Sequence, residues 1–582
     1  MTVPRRTATR ALLLAALAAG GAGCGRLPTS GPVVSGPRLA DDPRFGLLQV
    51  IPEGPVPGAT PVQVVSGFLR AGGTADDDHA VARSFLTAAA AERWLPDAST
   101  TVCAQTPSVV QDGADAAGQA VPGPQAAGAD APVAVVLDAE VVALVDGHGR
   151  YEDRSSGSRA VVRVVLRRER GQWRIDELPD GILISALDAS RTFRAFPLSF
   201  AAADGSLLVP EVRWFAYGPA TATRIVRELL AGPSPWLAPA VVTGAPPGTR
   251  LRLGSVPVAG GVAVVELTDG ALATTPQERR LLLSQLRAVL GRLPGVEDVR
   301  VTVRNAELSG PSPGGDVPTT RPRDERMLVL TGSGVARYDG GELRSALVVG
   351  SGAADLSHPA VSPVGGPVAF LAAAGRQLQL QQPGGPAVVA LTAGSVLLPP
   401  SVDPAGWVWT GTAAGLLVVR AAVPAAAPVA VQGPAEGFGG AVTRVRVSRD
   451  GTRAVVVTTG AGGAPAVAVH GVQRDERGRP LRLAAAGPVL APGVVAVLDA
   501  AWLGADHVAL LVRRAREVDP RPVLAQVGGP VRLLPPVPGA VSVAAGEAER
   551  GVAVGTADGR VLVRSGADWV PVTDGRYPAY PG

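Results

Sequence analysis

Lysine is absent from this sequence, so all 54 basic residues among its 582 are arginines. A Walker A loop, a Schiff-base site and a lysine general base each require an amine. Guanidinium cannot replace that amine, because it neither forms an imine nor gives up its proton near neutral pH. The absence therefore excludes Walker-type nucleotide hydrolases and enzymes that act through a lysine.

Cysteine and histidine are also scarce. The chain has two cysteines, Cys24 and Cys103. If Cys24 is modified, as argued below, Cys103 has no partner and no disulfide framework can form. The histidines lack metal-ligand spacings such as H-E-x-x-H, and they are His79, His148, His358, His470 and His507. We therefore expect no metal site and no cofactor.

Charge is low and evenly mixed along the chain. Charged residues make up 18% of it, below the roughly 25% of an average soluble protein. A formal net charge of +4 is too small and diffuse for a nucleic-acid-binding surface, so we expect no nucleic-acid partner. The length of 582 residues predicts three or four domains. The 73 glycines and 54 prolines predict many turns and linkers, and so favour short strands over long helices.

Residues 1–23 have the features of a secretory signal. Arginines at positions 5, 6 and 10 precede an apolar run at 11–19, which is too short to span a bilayer, and small residues at 21–23 precede Cys24. We predict cleavage before Cys24 and its modification by diacylglycerol and palmitate, which would anchor the protein on the extracytoplasmic face of the cell membrane. Gly21 departs from the usual large aliphatic residue, so ordinary secretion and an uncleaved anchor remain alternatives.

A Pro/Gly-rich spacer at 24–59 precedes a first domain predicted at 60–195. Thr60-Pro61 supplies an N-cap and a proline at the first helical position. Strands are expected at 133–137, 141–145, 160–166 and 173–175. Helices followed by an antiparallel sheet resemble the nuclear-transport-factor-like (NTF2-like) α+β cone, whose interior either encloses a ligand or is filled by side chains.

A second domain is predicted at 205–306. Thr275-Pro276-Gln277-Glu278 forms a capping box, and the helix that it begins places apolar residues on one face: Leu282, Leu286, Val289 and Leu293. The other elements expected are a helix at 221–231 and strands at 207–214, 249–256, 262–267 and 296–303. This order, with Gly218-Pro219-Ala220-Thr221 before one helix and Leu230-Ala231-Gly232-Pro233 after it, resembles the α/β GerMN domain, a binding module of envelope and sporulation proteins.

The segment 307–324 is a linker that contains a hydrolase-like pattern. Gly310-Pro311-Ser312-Pro313-Gly314 satisfies G-x-S-x-G. A nucleophile elbow needs a strand before the serine and a helix after it, and prolines on both sides of Ser312 prevent this. We expect Ser312 to have no catalytic role.

Residues 325–582 predict a β-propeller. A degenerate unit, in which a small or polar turn precedes a strand of small aliphatic residues, begins near positions 361, 402, 447, 501 and 543. These spacings are close to the roughly 40 to 50 residues of a four-stranded blade. Five or six blades fit the length, and the Gly-His and Trp-Asp marks of the WD type are missing. A long sandwich or two stacked sheets is the alternative.

The arrangement as a whole resembles the LpqB family of actinobacterial lipoproteins. The resemblance is based on the lipobox, Leu27-Pro28-Thr29-Ser30-Gly31-Pro32, Trp173-Arg174-Ile175 before Leu178-Pro179-Asp180-Gly181, the GerMN-like unit and the propeller. It implies a non-catalytic accessory lipoprotein that contacts the extracellular domain of the sensor kinase MtrB. In this role it would modulate signalling to MtrA in envelope homeostasis and division.

Two other classes of function remain open. A cell-wall glycan hydrolase could use carboxylates at the propeller's central channel, although aspartates at turns are expected for backbone hydrogen bonding alone. The candidates are Asp355, Asp403, Asp450 and Asp499. A lipid or glycan carrier would need an apolar cavity with a few polar groups in the first domain. We predict no catalytic residue, and Cys24 as the lipidation site.

Overall fold

The computed structural model describes residues 52–73, 76–112, 131–309, 315–321, 324–348, 355–423 and 426–582. Cys24, the spacer motif at 27–32 and Ser312 lie outside these residues. None of the described helices combines the length and the apolar character needed to cross a membrane.

The first domain begins with helix α1 (Pro61–Gly72), which has the predicted cap. The Thr60 hydroxyl accepts from Gln63 N, and the Gln63 side chain accepts from Thr60 N at 2.8 Å. Two short helices follow, α2 (Ala80–Arg83) and α3 (Ala88–Arg93). The buried face of α1 packs on the sheet that comes next.

That sheet makes the first domain an α+β unit. Its strands are β1 (Ser99–Cys103), β2 (Ser108–Gln111), β3 (Val133–Asp146), β4 (Tyr151–Asp153), β5 (Arg159–Glu169), β6 (Gln172–Glu177) and β7 (Ile182–Ser185). The order is β6-β5-β3-β1-β7, with β2 and β4 also on β3, and only β1 and β7 pair in parallel. The two strands expected at 133–137 and 141–145 are one continuous strand. A cluster that includes Phe68, Trp94 and Leu166 fills the space between helices and sheet.

The second domain has two small sheets and two main helices. It follows helix α4 (Ala186–Thr192), which packs on β1 and β7 of the first domain. In chain order its elements are β8 (Phe193–Ala202), β9 (Leu208–Ala216), α5 (Thr221–Ala231), β10 (Val241–Val242), β11 (Val258–Ala259), β12 (Val262–Leu267), α6 (Pro276–Leu290), β13 (Asp298–Val303) and β14 (Ala306–Glu307). One sheet has the order β10-β8-β9, and the other β11-β12-β13-β14. The predicted capping box at Thr275 is present, and the four predicted apolar residues are buried.

The prediction of a strand at 249–256 was wrong. Leu251 forms one isolated bridge with Leu267, and the segment is otherwise irregular. Gly248 and Gly254 adopt left-handed φ angles of 81° and 69°, which interrupt the extended backbone on both sides of that bridge. Apolar alternation in the sequence was therefore not sufficient for a strand here.

The third domain is propeller-like and consists of short strands. In chain order they are β15 (Met327–Thr331), β16 (Gly334–Asp339), β17 (Glu342–Val348), β18 (Ser357–Ala360), β19 (Val368–Ala372), β20 (Gln377–Gln381), β21 (Ala387–Thr392), β22 (Ser401–Val402), β23 (Trp407–Thr412), β24 (Gly415–Arg420), β25 (Val429–Val431), β26 (Ala441–Val447), β27 (Arg453–Thr459), β28 (Pro465–Arg474), β29 (Pro480–Val489), β30 (Ala496–Leu503), β31 (His507–Arg513), β32 (Arg521–Gln526), β33 (Val531–Leu533), β34 (Ala540–Ala545), β35 (Val552–Thr556), β36 (Arg560–Ser565), β37 (Asp568–Asp574) and β38 (Arg576–Ala579).

These strands form six four-stranded antiparallel sheets in the described part of the chain. Five sheets use four consecutive strands. The remaining one joins the two ends of the domain, because β38 pairs with β15 in the order β17-β16-β15-β38. Strand β38 thus takes the place that β18, β22, β26, β30 and β34 have in the other sheets, and it contacts β18 and β34 on its two sides.

The second domain and the propeller share one hydrophobic core. Trp236 and Leu237 of the second domain belong to the same buried cluster as Val455 and Trp502 of the propeller. Trp236 packs so closely on β29 that a Cβ at Gly487 would lie 2.5 Å from its ring. The two domains are therefore joined by core packing as well as by a linker.

Candidate functional site

Asp403, one of the four aspartates considered for catalysis, binds neighbouring residues of the propeller. Its fully buried carboxylate accepts from Trp407 N at 2.8 Å and from Trp409 Nε1 at 3.1 Å. It also pairs with Arg474 at 2.7 Å. These contacts hold the turn between β22 and β23 and use both oxygens of the carboxylate.

Two of the other three aspartates are each held by an arginine and a backbone N–H, and the third is exposed. Asp450 accepts from Thr452 N at 2.8 Å and pairs with Arg453. Burial opposes ionisation of Asp450, but Arg453 and hydroxyl donors outweigh it, so the pKa lies below its ordinary value. Asp499 binds Arg446 at 3.1 Å and Val543 N at 3.1 Å, and Asp355 is exposed. Among the described residues, no hydrogen bond joins any two of these carboxylates.

The histidines lie in the first domain and in the propeller. Within the described ranges, no group of three or more His, Cys, Asp and Glu side chains could hold a metal ion. His470 Nδ1 contacts the carbonyl of Ala484 at 2.9 Å, and His507 contacts Asp506 at 2.9 Å. His507 lines a space between the second domain and the propeller. His79 lines a space between the first and second domains, and His148 lies between two residues of that lining, Gly147 and Gly149.

That space is a cleft of about 220 Å³ between the first and second domains. The first domain contributes His79, Asp97 and Asp146 to its lining, and the second contributes Trp214, Arg224 and Glu228. Ile182 and Phe193 add apolar surface. The cleft therefore combines charges of both signs with an apolar wall, which is the composition of a small-ligand site.

His79 is the distinctive residue of this cleft. It is only 4% exposed, and its Nδ1 is buried without a hydrogen-bond partner among the described residues. Its φ of 56° is left-handed, and its ring packs edge-on against Trp94 at 6.0 Å. Burial lowers the pKa of His79 below its ordinary value. The ring is thus neutral near pH 7 and has an unused hydrogen-bonding nitrogen.

A buried ionic network joins the two domains next to the cleft. Arg213, 1% exposed, donates to Glu211 Oε1 at 2.9 Å, to Ser234 Oγ at 3.1 Å and to the carbonyl of His148 at 2.9 Å. Glu228 lies 3.6 Å from Arg213 and 3.0 Å from His148 Nδ1. Across the cleft, Arg224 of α5 pairs with Asp97 of the first domain. The relative position of the domains is fixed by these contacts.

Sequence reasoning did not find the residues of this junction. The sequence predicts only a strand at Arg213 and Trp214, and it predicts no element at Gly149. The alternation Glu211-Val212-Arg213-Trp214 was a usable sign, because charged residues within an apolar strand require buried partners. The partners themselves, such as the carbonyl of His148, could not be known without the fold.

Comparison with known families matches each of the three domains. Residues 54–190 match the family described as "Lipoprotein LpqB, N-terminal domain". Residues 197–309 match "Sporulation and spore germination", and residues 334–581 match "Lipoprotein LpqB beta-propeller domain". The order of the matches is the order of the domains in the structure.

Proteins similar to this chain are named "Lipoprotein LpqB" in several bacteria. "Lipoprotein LpqB" of Cutibacterium acnes is 32% identical over 306 residues, which are 52% of this chain and 48% of that protein, so the chain spans about half its length. "Lipoprotein LpqB" of Streptomyces coelicolor is 28% identical over 614 residues, 96% of each chain. The solved structure of TolB from Acinetobacter baumannii is 18% identical, covers 44% of this chain and 66% of its own, and has a TM-score of 0.32. From the ordered domain matches and these relatives, the chain belongs to the LpqB lipoprotein family.

Proposed function

We propose that this protein is a lipid-anchored, non-catalytic accessory factor on the extracytoplasmic face of the cell membrane. In this proposal Cys24 carries the lipid, and the three domains bind the extracellular part of MtrB and modulate its signalling to MtrA. The relatives named lipoprotein support the anchor. The partner is the one that the family resemblance implies.

The joining of three domains into one body is the observation that carries this proposal. The shared core of the second domain and the propeller, and the Arg213 network, leave a broad surface with fixed geometry. A lipid tether raises the effective concentration of such a surface beside a membrane receptor. A contact of low intrinsic affinity is then sufficient for regulation.

A pull-down from membranes tests the proposal. The intact chain and Cys24→Ser are purified under the same conditions, and co-purified proteins are identified by mass spectrometry. We expect MtrB with the intact chain and little or none with Cys24→Ser, because the variant loses the local concentration. If MtrB is absent from both, and the purified protein degrades envelope glycan, the hydrolase alternative replaces this function.

A second candidate function is a lipid or glycan carrier that uses the cleft. The unpartnered Nδ1 of buried His79 favours it. We propose that the first domain is an NTF2-like cone whose interior is filled by side chains and whose open space lies at its contact with the second domain. Native mass spectrometry of protein purified from membranes tests the carrier: a bound molecule should be present in the wild type and lost from His79→Phe. His507→Phe, which changes a histidine outside the cleft, is the control, and absence of any bound molecule from the wild type contradicts this function.

A further inference from the structure

The hairpin of β5 and β6 carries a cationic and aromatic tip. At its turn, Arg170 and Gly171 have left-handed φ angles of 54° and 76°. The exposed Arg168 guanidinium lies 4.9 Å from the centre of the Trp173 ring and donates to the carbonyl of Gly171 at 3.2 Å. Arg170 is exposed beside them, and Arg174 lies one residue beyond Trp173. We call these four side chains, Arg168, Arg170, Trp173 and Arg174, the hairpin tip.

The arginines of the tip differ from those farther along β5. Arg159, Arg163 and Arg167 each pair with an aspartate, at 2.6, 3.3 and 2.7 Å respectively, and the partners are Asp138, Asp112 and Asp176. Among the described residues, no carboxylate pairs with an arginine of the tip. The one carboxylate within the tip segment, Glu169, accepts from Ala88 N at 3.2 Å. The tip therefore presents a net positive charge.

The chain that leads from Cys24 enters the body beside this tip. Gly58 N donates to Gln172 Oε1 at 2.8 Å, which fixes the entry segment to the hairpin. Ala59 and Trp173 pack against the same core cluster. Val56, two residues before Gly58, is 64% exposed, so the entry segment adds apolar surface next to the arginines. Glu53 is the acidic residue of this segment and is exposed.

We propose that the hairpin tip docks on anionic lipid headgroups of the membrane that holds the anchor. Guanidinium groups bind phosphate with paired hydrogen bonds, and tryptophan favours the headgroup region of a bilayer. Charge complementarity and the place where the chain enters the body both select the membrane as the partner. This inference rests on the proposed acylation of Cys24, because the lipid brings the tip to the bilayer.

Docking of the hairpin tip would add to the lipid on Cys24 a second contact with the membrane. Residues 24–51 separate Cys24 from the described body along the chain, so the lipid itself selects no face of that body. Stable membrane attachment commonly combines an acyl chain with a basic patch. Docking through the tip would limit rotation of the three-domain body and hold one face toward a neighbouring receptor.

Vesicle flotation tests the docking separately from the acyl anchor. The full mature chain with Cys24→Ser is mixed at low ionic strength with vesicles of phosphatidylcholine, with or without phosphatidylglycerol. We expect binding only when phosphatidylglycerol is present, and weaker binding as salt is added. Arg168→Gln/Arg170→Gln should weaken binding roughly 25-fold. Arg159→Gln/Arg163→Gln, with the same change in net charge on the same strand, should bind as the wild type does.

Three results would overturn the docking. One is equal binding to both vesicle types, another is no binding to anionic vesicles, and the third is an equal loss in the two double variants. Arg170→Glu is a second test, because Arg170 is exposed and its replacement removes no packed side chain. The acylated chain on pure phosphatidylcholine vesicles reports the anchor alone. If it fails to float there, the lipidation proposal fails, whatever the Cys24→Ser chain does.

Discussion

The indole N–H of Trp214 donates a hydrogen bond of 2.9 Å to the carbonyl oxygen of Gly528. Trp214 belongs to β9 of the second domain, and Gly528 to the turn between β32 and β33 of the propeller. The backbone N–H of Trp214 also donates to the carbonyl of Gly149 in the first domain at 2.7 Å, and its ring lies 5.5 Å from that of Tyr151. One residue therefore contacts all three domains.

Trp214→Phe should weaken the contact between the second domain and the propeller. The variant keeps an aromatic ring and the backbone bond to Gly149 but loses the indole donor, so we expect a loss of about 1–2 kcal/mol of unfolding free energy. Calorimetry would measure this loss. If the propeller then unfolds in a separate transition at lower temperature, the result supports the role of Trp214 in joining the two domains. Trp407→Phe is the matched control, because the buried Trp407 Nε1 has no hydrogen-bond partner among the described residues. Equal effects of the two substitutions would contradict the role of Trp214.

Gly149→Ala should disturb the contact between the first and second domains. Gly149 has a φ of 76°, and a Cβ there would lie 2.7 Å from the Phe215 ring and 2.8 Å from the carbonyl oxygen of Trp214. Gly157→Ala is the control, because φ is 84° and nothing lies within 4 Å of the added atom. We expect about 1 kcal/mol from the strained φ in both variants and a further 1–3 kcal/mol from the clash at Gly149. Urea unfolding curves should separate the two.

Local elements were predictable wherever the sequence carries the chemistry of a helix end. Thr60-Pro61 and Thr275-Pro276 predicted the starts of α1 and α6, because hydroxyl caps and first-turn prolines act within a few residues. The strand expected at 249–256 failed because alternation does not report the positive φ of Gly248 and Gly254. The sequence predicts no strand at 193–202, where two predicted domains meet, yet these residues form β8 and pair along their length with β9.

The cleft could not be predicted from the sequence. Its lining residues are separated by up to about 150 positions and belong to two domains. His79 alone resembles any buried histidine, and only the meeting of α5 with the loop at 146–150 makes it part of a site. Cys24 is the opposite case. It was assigned from sequence alone, lies outside the described residues, and stays a prediction.

The buried Arg453–Asp450 pair should be far more sensitive to substitution than a surface pair. Arg453 is 1% exposed at the side chain, donates to the carbonyls of Pro210 and Ala505, and lies 5.0 Å from the centre of the Trp502 ring. Arg453→Met leaves a buried carboxylate unpaired, and we expect a loss of about 3–5 kcal/mol. Arg560→Met, which breaks an exposed pair with Asp558, should change the unfolding free energy much less, because water screens that pair. Thermal unfolding would show the difference.

This pair also predicts an acid limit to stability. The pKa of Asp450 is held below its ordinary value in the folded chain, so its contribution is present above the pKa of the unfolded state and is lost as pH falls through the folded pKa. The stability difference between the wild type and Asp450→Asn should therefore shrink in acid. A difference that is independent of pH would show that hydrogen bonding and not ionisation explains the contribution.

Thiol labelling would report on both cysteines. Cys103 is fully buried, and burial raises the pKa of its thiol to about 11, so the group is neutral and inaccessible in the folded protein. If Cys24 is acylated, we expect no reaction with a thiol reagent under native conditions and one thiol after denaturation. A second thiol in denaturant would mean that Cys24 is unmodified. The Cys24→Ser chain calibrates the signal from Cys103.

Because of His358, the unfolding free energy of the propeller should fall as pH is lowered from 7 to 5. This residue lies in β18, and its ring is 4.3 Å from that of Tyr577. Burial lowers the pKa of the imidazole to about 4. Asp499 favours protonation, whereas Arg446 and Arg444 oppose it. A histidine whose pKa is lower in the folded than in the unfolded state stabilises the fold above the unfolded pKa of about 6.5 and loses that contribution as pH falls. The expected loss by pH 5 is about 2 kcal/mol. His358→Gln should remove this part of the pH dependence. His148→Gln, which replaces an exposed histidine, is the control and should keep it. Unfolding curves of the two variants at pH 7 and pH 5 would test this expectation.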